Sequence, residues 1–320
     1  MKPYDQKRIE LHNHTLESDG SMTVSKLAQC LLTHGVTTYA LTDHNTISGI
    51  AKTEQYLSNG IPMEFVHGYE LTSYMGHILC HNVEDYIRWE DIRMDNADLL
   101  FDRVHSMGGI VGIAHPFSAS APISNGMRFA MTIHDPDKVD FIEIVNHAHP
   151  YFPDNMQALD YWETLYLKGY AISPTSGLDL HHPDTDLTNA YTTWLLLPEI
   201  LHASPISEQL SYAIHHQRVC ISKGPVIHTQ LTEKGLSICL TSPDTMHTEI
   251  PETHHYTLLL RTPSGTQQWD IALSETLELP AEALPADYSA PMVAEIYAPG
   301  QSTNYKQEQP IAVAPVIHSL

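Results

Sequence analysis

The hydrophobic run RIEL at residues 8–11 leads into a His-x-His pair, His12 and His14, with Asp19 five residues beyond. Four later segments repeat the arrangement: LTDHNT at 41–46, GYELTSYMGHILCH at 68–81, GIAHP at 112–116 and SGLDLHH at 176–182. Each sets a His, Asp or Glu just after a short apolar run. One such segment is common by chance. Five in order confine the chain to folds that gather strand ends around one point, and they imply a multi-metal site at the rim of a barrel.

From residue 8 to about 222 short apolar runs alternate with amphipathic ones. RIEL, TTYALT, MEFVHGYEL, GHILCHNV, GIVGIAH, DFIEIVN and YAISPTSGLDL read as strands. VSKLAQCLLTHG, SGIAKTEQYLSNG, a long segment around DIRMDNADLLFDRVHSMGG, and NMQALDYWETLYLKG read as helices, several ending in glycine. Alternation on this scale predicts an α/β fold with a parallel sheet and helical crossovers, about seven units closing into a barrel. Residues 117–137 lack periodicity and read as a long loop at its mouth. YTTWLLL, ISEQLSYAIHHQ and RVCISKGP complete a unit over residues 1–223. Beyond it, short alternating runs separated by Gly, Pro, Ser and Asp predict a small antiparallel β domain, sandwich-like, over 224–320.

Of 320 residues, 42% are apolar and 17% charged, an ordinary globular balance with ample material for a core. Histidine is the outlier at 22, with 14 at or before position 182. The formal charge is −22, and no Lys/Arg run offers a stripe that would release phosphate counterions. Duplex nucleic acid and anionic membrane surfaces are therefore disfavoured as partners. Cys30, Cys80, Cys220 and Cys239 lack CxxC spacing and read as reduced, buried thiols. The N-terminus has no signal-peptide core, and no run approaches the ~18 apolar residues of a span, so a cytoplasmic protein is expected.

Residues two apart on a strand share a face, so His12 and His14 can converge on one metal, as can Asp179 and His181. His44, Glu70 and His115 end their strands, Asp19 sits in an SDG turn, and His77 and His81 both stand in the strand after Glu70. Counting one of that pair gives six histidines and three carboxylates. A single zinc takes about four protein ligands, so nine suit two or three metals sharing a carboxylate. Mixed imidazole and carboxylate donors suit Zn, Mn or Fe. Asp43 reads as orienting an imidazole or as a helix cap. Glu143, Asn146, His147 and His149 end another strand and read as pocket residues. Arg128, in the mouth loop, is the first candidate to grip a phosphate, with Arg103 and Lys223 behind it.

HNHTLESDG, LTDHN, the Glu followed by GHIL, AHP and SGLDLHH together resemble the motifs of the PHP (polymerase and histidinol phosphatase) superfamily, and the two-part layout resembles its CehA/McbA-like metal-dependent phosphoesterases. The resemblance implies a distorted (β/α)7 barrel of PHP type followed by the β domain. It implies that His12, His14, Glu70 and Asp179 bind a first metal and that Glu70 bridges to a second held by His77 and His115. Asp19, His44 and His181 would then hold a third. GHIL matches the family strand at His77, which puts His77 ahead of His81.

With two or three divalent cations the pocket floor is positive despite the acidic chain. The expected chemistry is hydrolysis of a small phosphate ester by a metal-bridging hydroxide, with His44 or His181 protonating the leaving group and Arg128 and Asn146 contacting substrate. The alternatives are a metal-dependent hydrolase of a carboxylic or carbamate ester, a 3′–5′ exonuclease, and a metal-loaded binding scaffold. The oligomeric state is left open by these residues.

Overall fold

The computed structural model describes residues 4–119, 127–147, 152–242, 255–285, 287–304 and 308–318. In chain order the first elements are β1 (Asp5–Ile9), α1 (Val24–Thr33), β2 (Thr38–Ala40), α2 (Ser48–Leu57), β3 (Glu64–Val66), β4 (Gly68–Ser73) and β5 (Gly76–His81). Then come α3 (Ala97–Ser106), β6 (Ile110–Ile113), β7 (Phe141–Asn146), α4 (Phe152–Leu167), β8 (Ser173–Gly177), β9 (Thr192–Leu197), α5 (Ile206–His215) and β10 (Val219–Ser222). Strands dominate the described remainder: β11 (Val226–Thr232), β12 (Gly235–Thr241), β13 (His255–Thr262), β14 (Gly265–Ala272), β15 (Thr276–Pro280), β16 (Val293–Tyr297) and β17 (Ala312–Pro315), with one 3-10 turn at Ala281–Ala283. The chain is a mixed α/β protein.

Helix α1 forms because Leu27, Ala28 and Leu31 share one buried face, and Thr23 caps it by accepting the Lys26 N–H. Gly35, at φ 71°, ends it in a conformation that side chains resist. Helix α3 is shorter than the sequence suggests. Residues 91–96 fold back, with Asn96 accepting the Arg93 N–H and Arg103 donating to both oxygens of Asp91.

The sheets are less uniformly parallel than the alternation predicts. Strands β4 to β8 form one five-stranded sheet in sequence order. β6, β7 and β8 run parallel, but β5 is antiparallel to both its neighbours. The cause is local: Tyr74 and Met75 join β4 to β5 as a two-residue hairpin, which only antiparallel strands can use. The single run 63–71 also splits, because β3 pairs parallel with β2 whereas β4 turns to β5. Gly68 sits at the break, where a Cβ would lie 2.5 Å from the Cys80 carbonyl oxygen.

The first strand also changes partners. β1 pairs antiparallel with β9, then the chain runs on through parallel bridges Glu10–Tyr39 and Asn13–Leu180. β1, β9 and β10 belong to a seven-stranded sheet, in the order β1-β9-β10-β17-β16-β13-β14. β11, β12 and β15 make a separate three-stranded sheet. Leu11, Ala40, Val66, Leu79, Ile110, Ala114 and Phe141, in or just after β1, β2, β3, β5, β6 and β7, pack with α5 in a single apolar cluster. That cluster underlies the strand ends carrying the site. Cys80, Cys220 and Cys239 are buried free thiols and Cys30 is half-buried. Among the described residues no helix is long and apolar enough to cross a membrane.

Candidate metal centre

Asn13 fixes the two histidines that flank it. Its amide donates to the Ala40 carbonyl and its N–H to Thr42 Oγ1, while the His14 N–H donates to the Leu180 carbonyl. With Asn13 sewn to neighbouring strands, His12 and His14 turn to the opposite face. His12 Nε2 lies 3.2 Å from Glu70 Oε2 and 3.4 Å from Asp179 Oδ1. His14 Nε2 lies 3.3 and 2.9 Å from the same two oxygens.

The other Glu70 oxygen faces a second group. Oε1 is 2.9 Å from His77 Nδ1 and 3.3 Å from His115 Nε2. The His115 ring donates from Nδ1 to the Met127 carbonyl, so the nitrogen that carries the lone pair is Nε2, the one facing Glu70. A third group is more open: His181 Nε2 and His44 Nε2 lie 3.3 and 3.5 Å from the two oxygens of Asp19. Asp19 is 57% exposed, against 0% for Glu70, so the groups grade from buried to solvated.

The structure thus brings all nine residues into one constellation, with ligand atoms in overlapping groups each within 4.8 Å. Buried His, Glu and Asp clusters of this kind have the geometry of a multi-metal site. The orphaned atoms test the fit. His12 Nε2, both ring nitrogens of His14 and Glu70 Oε2 are buried without a hydrogen-bond partner among the described residues. Leaving such atoms unpaired costs about 1–3 kcal/mol each, unless their lone pairs meet a cation, and a mixed N/O set is what such cations take.

Burial opposes charge on His12, but Asp179, Glu143 and Glu70 outweigh it and hold the imidazole well above its ordinary value. Burial likewise opposes ionisation of Glu70 and Asp179, and the histidines, His12 foremost, hold both carboxyls well below the usual range. The surrounding carboxylates likewise favour the charged forms of His14 and His115 against burial, whereas burial wins at His77, so cation uptake at His12, His14 and His115 competes with protons.

Two residues of the constellation sit in strained backbone. His115 has φ 25° and Asp179 φ 48°, left-handed values that cost a non-glycine residue about 1–3 kcal/mol each. Pairing nearby holds them: Glu143 accepts the His115 N–H, and the Leu180 N–H donates to the His12 carbonyl.

Several supporting residues differ from their sequence reading. Asp43 accepts the Thr15 N–H and the Thr15 and Ser18 hydroxyls, so it holds the loop before Asp19. Glu10 accepts the His12 and Leu178 N–H groups, and burial pushes its carboxyl up to about 8. Its one sequence signal was an acid wedged between Ile9 and Leu11. Thr72 Oγ1, which carried no signal, lies 2.5 Å from His44 Nδ1. His81 joins none of the metal-binding groups: it stacks on Phe141, and burial pushes it down to about 3. Asn146 donates to Glu143 and Asp179. Arg128 places its guanidinium 5.5 Å from the Phe117 ring centre, and Arg103 pairs with Asp91. Lys223 lies 5.1 Å from the Tyr191 ring. His149 and residues 120–126 of the mouth loop lie outside the described residues. The cleft over the site measures about 510 Å³, and Met127, His147, His182 and Thr185 line it beyond the ligands.

The chain matches no protein-family model. Its fold is shared with a two-domain protein of Bacteroides vulgatus containing a predicted PHP-like metal-dependent phosphoesterase, at TM-score 0.52 and 14% identity over 91% of this chain and 90% of that one. An amidohydrolase of Chromobacterium violaceum with bound sulfate and no metal aligns at TM-score 0.39 and 15% identity, over 64% of this chain and 96% of that one. A 5′–3′ exoribonuclease of Haemophilus influenzae is 28% identical over 99 residues, and the match spans 31% of each protein. The chain thus shares its fold with the two-domain protein of Bacteroides vulgatus.

Proposed function

We propose that the chain is a metal-dependent phosphoesterase of PHP type that hydrolyses a small phosphate ester. The bridges Glu10–Tyr39 and Asn13–Leu180 join the continuation of the first strand to β2 and to the chain just after β8, and His44–Glu70 joins the chain just after β2 to β4, which supports reading the early strands as a distorted (β/α)7 barrel. His12, His14, Glu70 and Asp179 would hold one cation, Glu70 with His77 and His115 a second, and Asp19, His44 and His181 a third, of Zn, Mn or Fe type. Such cations, when bound, neutralise phosphoryl oxygens and acidify a water.

The residues divide the remaining work. Glu70 and Asp179 keep the floor from becoming too positive to release phosphate. His44 and His181 stand on the solvent side, where either donates a proton to the departing oxygen. The cleft residues His147, His182 and Thr185 meet the alcohol portion, whereas Asn146 is buried with its amide on Glu143 and Asp179 and supports the floor instead of touching substrate. No Lys or Arg lines the cleft among the described residues, which favours an uncharged leaving group. The observation that carries this reading is the convergence of four buried imidazoles, His12, His14, His77 and His115, on one Glu70 carboxylate. Chelation followed by reloading, with phosphate release from p-nitrophenyl phosphate, its bis-ester and the acetate, is the test. Activity indifferent to chelation contradicts metal dependence, and activity confined to the acetate favours the carboxylic ester alternative.

A second reading, cleavage of an RNA phosphodiester end, is favoured by the exoribonuclease match. The charge of −22 weighs against long strands. Release of mononucleotides from an end-labelled oligoribonucleotide would support it.

A further inference from the structure

Glu143 stands behind the candidate ligands and belongs to none of their groups. It is 1% exposed, on β7 beneath the constellation. One oxygen, Oε1, accepts from His12 Nδ1 at 2.9 Å. The other, Oε2, accepts the His115 N–H at 2.9 Å and the Asn146 amide at 3.0 Å. Asn146 Nδ2 in turn lies 3.2 Å from Asp179 Oδ2. A single carboxylate therefore reaches ligands of two adjacent groups, and a third ligand through one amide.

The surroundings are shaped for it. A Cβ on Gly177 would lie 2.1 Å from Glu143 Oε1 and 2.5 Å from the His12 Cβ, so only glycine leaves room for the pair. The His115 N–H that it accepts belongs to a residue with φ 25°, a conformation that needs an outside anchor.

We propose that Glu143 is a positioning residue that fixes the His12 tautomer and the His115 backbone together, so that the first two cation positions form and fail as one. A ring that donates from Nδ1 keeps its lone pair on Nε2, the atom facing Glu70 and Asp179. In Glu143→Gln the amide oxygen can still serve the two N–H donors at the Oε2 position. Its NH2 group then faces His12 Nδ1 and demands an acceptor there. The His12 proton moves to Nε2, and the ligand lone pair is lost. Charge at the site changes by one unit, but the larger effect is the tautomer.

This inference rests on the metal-centre reading above, and the test separates the two. The full chain is stripped of metal, then titrated with Co²⁺ while visible absorption and metal content are followed. Wild type should bind two cations tightly, and Glu143→Gln should lose both in parallel, with affinity down about 10–100-fold. Loss of one cation with the other unchanged overturns the coupling. Equal binding by variant and wild type overturns the role of Glu143 and leaves the phosphoesterase reading standing, whereas a wild type that binds nothing sinks both. Ring ¹⁵N NMR of the zinc-loaded wild type keeps the proposal exposed even if the variant does not fold. The His12 proton should sit on Nδ1, and a proton on Nε2 refutes the proposal.

Discussion

Glu70 and His77 face each other across the β4–β5 hairpin, with Oε1 2.9 Å from Nδ1, while the second Glu70 oxygen turns away toward His12 and His14. One fully buried carboxylate therefore serves two groups of imidazoles. Its replacement should be felt by both. Glu70→Gln is expected to lower bound metal and to reduce phosphate release by about two to three orders of magnitude. Metal analysis beside a phosphate assay checks this, and retention of full metal content would contradict the shared role.

Asp19 offers the contrast. It stands at the solvated end of the constellation, 3.3 Å from His181 Nε2. A cation there is the easiest to lose. Asp19→Asn should release it at lower chelator concentration than wild type while the buried positions stay filled, and activity should fall only about 10–100-fold. A chelator titration with metal content as readout decides between graded and simultaneous loss.

Asp140 couples stability to pH far from the metals. Its Oδ2 accepts from His105 Nε2 at 2.8 Å and from the Val111 N–H at 2.7 Å, and Oδ1 lies 3.3 Å from His215 Nε2. The hydrogen bond to Asp140 raises the His105 imidazole, and the two histidines hold the mostly buried Asp140 carboxyl down despite burial. The His105 contribution is complete below its unfolded value of about 6.5 and fades as pH rises through its folded value. The Asp140 contribution is complete above about 3.9 and fades as pH falls. Asp140→Asn should therefore cost most near pH 5–6, about 1–3 kcal/mol, and less on either side. Urea unfolding across that range would reveal a flat difference if the pair is inert.

Arg261 sits among more acid than it can neutralise. It donates to both Glu295 oxygens, at 2.6 and 3.0 Å, with Glu163 Oε1 3.5 Å from its Nε. Burial first, then Glu295, hold the Glu163 carboxyl well above its ordinary value, so the folded chain keeps a proton that the unfolded chain has released. Stability then falls as pH climbs from about 4.3 through the folded value. Glu163→Gln should match wild type near pH 5 and exceed it above neutrality. Arg261→Met should lose about 3–5 kcal/mol by stranding buried charge. Thermal unfolding of both variants at two pH values tests the pair.

Most of the constellation was legible because His12, His14, His44, Glu70, His115 and Asp179 each follow an apolar run, a pattern that survives errors in strand pairing. His12 and His14 converge whatever β1 does further back. Pairing itself was not legible. A hairpin as short as Tyr74–Met75 reverses β5 without altering its hydrophobic pattern, and periodicity carries no direction. The supporting acids were half-visible: Glu143 and Asp43 drew notice as polar strand ends, yet which atoms they hold depends on contacts more than a hundred residues apart for Glu143 and His12. Arg128 looked suited to phosphate by its loop position, and a neighbouring aromatic ring, unpredictable from spacing, receives it instead.

Because the strand leading into His12 is laced through β9 and β10 to β17, the half that carries the constellation has an open flank wherever the later strands are cut away. Such a fragment would present the bare backbone of β10 as a template for self-association. Modular exchange of the two halves during evolution would thus have to replace a seam, and a swapped partner must bring its own matching edge.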